Sequence, residues 1–168
     1  MTTASNTLPW YGIRVRSKHE QVAATVLRGK GYELFLPLYT VRRRWTDRVK
    51  DTELPLFAGY VFCRLDVADR LPVLTSTGVV GIIGIGKIPA PIEEREIAAV
   101  REVMRSGLPA MPWPFVYPGD RVRVESGPLR GVQGIVNRFN DRERLVVSVT
   151  LLQRSISVEL EPDWVVAQ

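Results

Sequence analysis

The chain of 168 residues is 45% hydrophobic and 24% charged, a globular composition with room for one medium domain or two small ones. Its net charge of +5 lies wholly in residues 1–106, with 16 Lys/Arg against 11 Asp/Glu, and is densest over 14–50, with 10 against 3; residues 107–168 balance at 7 and 7. That asymmetry points to a polyanion partner at the N-terminal end, against the plainer reading of a solvated basic face.

Trp10 to Arg16 reads as a first strand, with Tyr11, Ile13 and Val15 on one face. Ser17-Lys18-His19-Glu20 has the S-x-x-E form of a capping box, and Val22, Ala23, Val26 and Leu27 give the following helix an apolar side. Gly29 and Gly31 end it, the second placed for a left-handed cap. Glu33 to Tyr39 is a second strand with Pro37 at an edge. Residues 40–55, polar and basic through Arg42, Arg43, Arg44 and Trp45, form a protruding hairpin or loop. Leu56 to Leu65 is the most strand-like run and a central strand.

A short helix near Asp69–Ser76 carries Pro72 in its first turn, and Val79 to Ile85 is a glycine-interrupted strand. Glu93 to Arg105 is a helix with acids at its start and Ile97, Val100, Val103 and Met104 inward. The order β-α-β-β-α-β-α implies an α+β sandwich, helices on an antiparallel sheet. Ser106 to Pro118, with four prolines, reads as a semi-extended linker. Beyond it come only short strands, near 121–125, 132–139, 144–151, 154–160 and 164–166, the pattern of a small barrel. Gly131 and Gly134 are spaced for positive φ or close backbone approach between its first strands.

Two motifs carry a family resemblance. The pattern G-D-x-V-x-V-x-x-G-P-L-x-G-x-x-G-x-V, over 119–136, resembles the KOW motif of NusG-type factors and some ribosomal proteins. Upstream, Trp10-Tyr11, the run PLFAGYVF (55–62) and GVVGIIG followed by P-x-P-I resemble the NusG N-terminal (NGN) domain. Together they cover about 9–167, and the chain resembles a NusG-family transcription elongation or antitermination factor. The basic patch inclines the reading toward a specialised paralogue of the RfaH or polysaccharide-operon kind. The implied domains are an NGN-like RNA polymerase-binding domain at 8–106, a linker at 107–117 and an SH3-like KOW barrel at 118–168.

The resemblance implies a non-enzymatic, monomeric factor without cofactor or metal. Its NGN domain would bind the β′ clamp helices of RNA polymerase through an exposed hydrophobic depression and suppress pausing. The positions that match are Trp10, Tyr11, Phe57, Tyr60 and Phe62, although strand alternation requires about half of these to be core. Arg70, Leu74 and Thr75 fall where the family reaches the β subunit. Non-template DNA contacts are implied by position for Arg14, Arg16, Lys18, His19, Arg28 and Lys30, with Arg42, Arg43 and Arg44 alongside. His19 or Trp45 can stack on a base, and a plain solvent-facing role is the alternative for His19. In the tail, Leu151, Leu152 and Arg154 match the loop that binds Rho or a ribosomal protein. Leu152 and Gln153 replace the usual phenylalanine and glycine there. The alternation of Val146–Thr150 and Ile156–Val158 favours strands over a refolded α-hairpin.

Other constellations are weaker. Gly84-Ile85-Gly86-Lys87 lacks P-loop spacing, and Ile88 stands where a magnesium-holding hydroxyl is needed. Asp66, Asp69, Glu93, Glu94 and Glu96 sit at helix starts, where acids complement the dipole. Cys63, alone in an apolar strand, reads as a buried inert thiol, and with a single histidine no nucleophile–base pair suggests itself. No apolar run approaches the roughly 20 residues of a membrane span, and the N-terminus lacks the features of a signal peptide, so a cytoplasmic protein is expected. The rival from another class is a ribosome- or RNA-binding KOW module, disfavoured by a 95-residue domain bearing PLFAGYVF.

Overall fold

The computed structural model describes residues 7–44, 46–115, 121–139, 142–161 and 164–167. Along the first part of the chain run β1 (Trp10–Val15), α1 (Glu20–Gly29), β2 (Glu33–Phe35), β3 (Leu38–Arg44), β4 (Val49–Pro55) and β5 (Tyr60–Arg64). Next come α2 (Leu71–Leu74), β6 (Val79–Ile82), β7 (Gly84–Ile85), β8 (Ile88–Pro89) and α3 (Glu94–Arg105). The tail holds β9 (Ala110–Trp113), β10 (Arg121–Val124), β11 (Gln133–Phe139), β12 (Arg142–Val149), β13 (Arg154–Glu159) and β14 (Val165–Ala167). These elements divide into two compact units, Met1–Leu36 with Ala58–Glu94, and Pro37–Phe57 with Arg95–Gln168. The fold class is α+β, as expected.

The first unit is built on an antiparallel sheet ordered β2-β5-β1-β6. One face of it forms a core in which Tyr11, Ile13, Val15, Val61, Cys63 and Leu65 meet Ala23, Ala24 and Leu27 of α1 and Val73 of α2. Burial pushes the Cys63 thiol up to about 12, so the thiolate needed for reaction does not form near neutrality.

Both ends of α1 test the sequence reading. The capping box does not form: His19 is the N-cap, without a side-chain cap bond, and Lys18 takes φ 64°. Glu20 is instead buried, and its Oε1 accepts from the Lys18 N–H at 3.2 Å. The buried side of the helix is Glu20, Ala23, Ala24 and Leu27, so Ala24 is buried and Val22 is exposed, against the expected face. The C-terminus follows expectation. Gly31 has φ 94°, and Tyr32 N donates to Leu27 O while Gly31 N donates to Arg28 O, a Schellman arrangement.

The strand expected over Glu33–Tyr39 is two strands, because Pro37 interrupts it and β3 leaves to pair with β4 as a hairpin. Likewise the run expected over Leu56–Leu65 is a strand only from Tyr60, after a turn in which Gly59 has φ 86°.

In the second unit the tail forms an antiparallel sheet ordered β14-β10-β11-β12-β13-β9. The tail is therefore β-structured, with Val146, Val147, Val149, Ile156 and Val158 buried. The two motif glycines divide the roles expected of them. Gly131 has φ 89°, while Gly134 lets the β12 backbone approach so closely that a Cβ there would stand 2.6 Å from Val146 O. The stretch read as a linker also behaves differently: Ala110–Trp113 pairs with β13 as an edge strand. Pro112 is tolerated there because an edge residue need not donate to a further strand. Residues 116–120, with the end of that stretch and the first two motif positions, lie outside the described residues. Among the described residues no helix is long and apolar enough to cross a membrane.

Candidate functional site

The face of the first sheet that turns away from α1 carries the aromatic candidates. Register places Trp10 opposite Arg64, Gly12 opposite Phe62 and Arg14 opposite Tyr60, while Phe35 lies opposite Phe62 and Glu33 opposite Arg64. Directly opposed residues share a face, so Trp10, Arg14, Phe35, Tyr60, Phe62 and Arg64 form one surface. Phe35 and Phe62 have ring centroids 6.0 Å apart at 31°. The Arg64 guanidinium lies over the Trp10 ring, 4.4 Å from its centroid. Leu8 O accepts from Arg64 Nη1 at 2.7 Å, and Glu33 and Glu94 pair with the same guanidinium. Arg14 Nη2 reaches the Tyr60 hydroxyl at 3.5 Å, with the Arg14 guanidinium 5.9 Å from the Tyr60 ring centroid.

Two features of the expected depression are corrected. Tyr11 is not part of this face; as the neighbour of Trp10 in one strand it points the other way, into the α1 core. Nor are the aromatics exposed: Trp10 and Phe62 are 0% exposed, Phe57 2% and Tyr60 8%. Phe57 belongs to the other unit, in the bend that follows β4. The half-buried Phe35 is the accessible aromatic of the face, and no family motif marks it. Its signal was the alternation Glu33-Leu34-Phe35, which sends Leu34 to the core and Phe35 to the other side.

Arg70, Leu74 and Thr75 lie together at α2, all exposed. Arg70 Nη1 donates to Val67 O, and Thr75 Oγ1 donates to Leu71 O. Leu71, 67% exposed, adds an apolar side chain that the sequence reading passed over.

The basic candidates fall into three groups. Arg14 is on the aromatic face. Arg16, Lys18 and His19 sit at the β1–α1 junction, and the Arg16 N–H donates to Gly78 O at 2.8 Å. His19 is half-buried against Gly78, and its Nδ1 donates to Ser17 O. Arg28 is exposed near the end of α1, whereas Lys30 Nζ donates to Pro72 O and Ser76 Oγ, both at 2.8 Å. Arg42, Arg43 and Arg44 are exposed on the hairpin, and Trp45 lies outside the described residues.

In the tail, Thr150–Leu152 form a 3₁₀ turn before β13. Leu152 is buried, Leu151 half-buried and Arg154 exposed, so the apolar contact expected of Leu152 is spent inside the fold. Gln153 takes the left-handed conformation, φ 51° and ψ 45°, which accounts physically for a glycine being at home in that position. Glu96 of α3, read from sequence as a dipole-complementing acid, accepts from the Thr150 N–H at 2.8 Å and braces the turn. A cleft of about 570 Å³ opens between α3 and strands β11 and β12, lined by Glu96, Glu102, Phe115, Arg130 and Val147 among others.

Comparison with known proteins identifies the family. A family model described as transcription termination factor nusG matches residues 8–101. The transcription termination/antitermination protein NusG of Pasteurella multocida is 30% identical, covering 96% of each chain. That of Thermus thermophilus is 29% identical over 95% of this chain and 98% of its own. A solved structure described as domain interaction in Thermotoga maritima NusG aligns with a TM-score of 0.53 at 20% identity, covering 94% of this chain and 95% of that one.

Proposed function

The chain belongs to the NusG family of transcription termination/antitermination factors, and from that premise we propose that it binds the β′ clamp helices of bacterial RNA polymerase through its aromatic sheet face, suppressing pauses without catalysing a reaction. The observation that carries this reading is the convergence of Trp10, Phe35, Tyr60 and Phe62 on the face turned away from α1, rimmed by Arg14. Buried Trp10 and Phe62 form its rigid floor, and Phe35 presents the aromatic anchor of a small interface. Arg70, Leu74 and Thr75 reach toward the β subunit, and the basic residues of β1, α1 and the hairpin meet the phosphates of the non-template strand. The tail recruits a ribosomal protein or Rho through Leu151 and Arg154, with Leu152 acting as a buried support of that loop. The functional domains are 8–106 and a tail that takes in β9 ahead of 118–168, and a polymerase partner places the protein in the cytoplasm.

Single-round transcription by purified bacterial RNA polymerase, across a pause site and a Rho-dependent terminator, tests this. Added protein is expected to shorten the pause. Read-through of the Rho site would make it a specialised antiterminator, and earlier release a general NusG. Unchanged or longer pauses would overturn the polymerase reading in favour of the ribosome- or RNA-binding alternative.

A further inference from the structure

The outer part of the β3–β4 hairpin is the most concentrated charge in the chain: residues 42–50 hold Arg42, Arg43, Arg44, Arg48 and Lys50 against Asp47 alone. Register sorts the strand residues between two faces. On one, Arg42 lies opposite Asp51, Arg44 opposite Val49 and Thr40 opposite Glu53, so that face holds two cations and two carboxylates, with Arg42 directly facing one of them. The pairing is real for Arg42, whose Nε is 3.3 Å from Asp51 Oδ1. On the other, Arg43 lies directly opposite Lys50, with Val41 opposite Thr52 and Tyr39 opposite Leu54, so the strand residues of that face hold two cations and no carboxylate. Both cations are exposed, and among the described residues neither has an ion-pair partner.

Like charges directly opposed in an antiparallel pair repel, with Cβ atoms only about 5 Å apart. A glutamate at either position would make the hairpin more stable by itself. The arrangement costs least when an anion lies across both side chains, and a nucleic-acid backbone supplies such anions at regular intervals. We propose that Arg43 and Lys50 form a two-cation clamp on the phosphate backbone of a nucleic acid, from which Asp51 withholds Arg42. The clamp refines the DNA contact proposed above and rests on that reading for its setting beside the strand. It replaces three equivalent arginines by one face of the hairpin and adds Lys50.

The test is binding of the full chain to a short labelled single strand of DNA, the same sequence as RNA, and duplex DNA, each titrated over a range of potassium chloride. Arg43→Gln with Lys50→Gln is expected to lower the slope of log K against log salt by about 1.4 on a single strand or about 1.8 on duplex. Arg42→Gln with Asp51→Asn, which leaves the net charge unchanged, should preserve the slope. A fall on DNA assigns the clamp to the DNA strand, and a fall on RNA alone assigns it to the transcript. An unaltered slope on all three, or an equal fall in the Arg42/Asp51 variant, would overturn the clamp. Lys50→Glu gives an independent readout, because it should raise Tm while weakening binding; a change of both in the same direction would also overturn it. Clamp-helix binding should be unaffected by the Arg43/Lys50 changes. A protein that failed to bind polymerase yet showed the slope change would lose the proposed function and keep the clamp.

Discussion

Gly134→Ala is expected to unfold the tail sheet while leaving the β2-β5-β1-β6 sheet intact. The added Cβ would lie 2.6 Å from Val146 O and 2.9 Å from Leu145 Cδ1, distances that require something to move. The leucine tip can turn aside, but the carbonyl belongs to β12, and β12 is pinned on both sides. Ile135 pairs with Val146 in β11, and Ser157 pairs with Val146 in β13. Relief therefore means prising one ladder apart, at the upper end of the overpacking range, about 3 kcal/mol. A sheet of this size has little to spare, since small domains hold only about 0.05–0.15 kcal/mol per residue. Hydrogen exchange of the full-length variant should show lost protection in β10–β13 and native protection in β1 and β5. Gly29→Ala, where nothing lies within 4 Å of the new Cβ, is the control and should be neutral or slightly stabilising. Native protection throughout in Gly134→Ala would contradict the close approach.

The second large effect is expected at Phe62, among the largest fully buried side chains and at the centre of the first sheet. Truncation to alanine removes a buried ring that packs against Phe35 and faces Gly12, which has no side chain to fill the space. The cost is about 3–5 kcal/mol, a large part of the roughly 5–15 kcal/mol that holds a typical domain folded. In urea unfolding, Phe62→Ala should lower the midpoint far more than Phe35→Ala, whose ring is half in solvent. Equal midpoints would mean that Phe62 is not the floor of the face. A Phe62 truncation consequently reports on folding before it reports on any partner.

Much of this was readable from sequence, for a physical reason that differs by element. The β10–β11 turn announced itself because Gly131 and Gly134 serve backbone needs that other residues meet poorly. α3 was equally plain, its buried Ile97, Val100 and Val103 recurring at helical spacing. Side-chain facing was harder where motifs were borrowed whole. Trp10 and Tyr11 travel together in the family motif, yet neighbours in a strand must point to opposite faces. The capping box failed because Lys18 takes a left-handed conformation, which composition does not announce, and the helix starts later. β9 was hidden because prolines argue against a strand unless it lies at an edge, and edge position is a property of the assembled sheet. Leu152 was expected to make a contact because it matches the family's partner-binding loop; here the 3₁₀ turn folds it inward.

The most direct test of the polymerase reading is titration of the isolated β′ clamp helices with the full chain and with its Phe35→Ala variant. Saturable binding by the parent protein is expected, with roughly tenfold weaker binding by the variant, the loss of one aromatic anchor worth about 1.4 kcal/mol. Absence of binding by the parent, or equal affinity for a folded Phe35→Ala, would contradict the assignment of this face to polymerase.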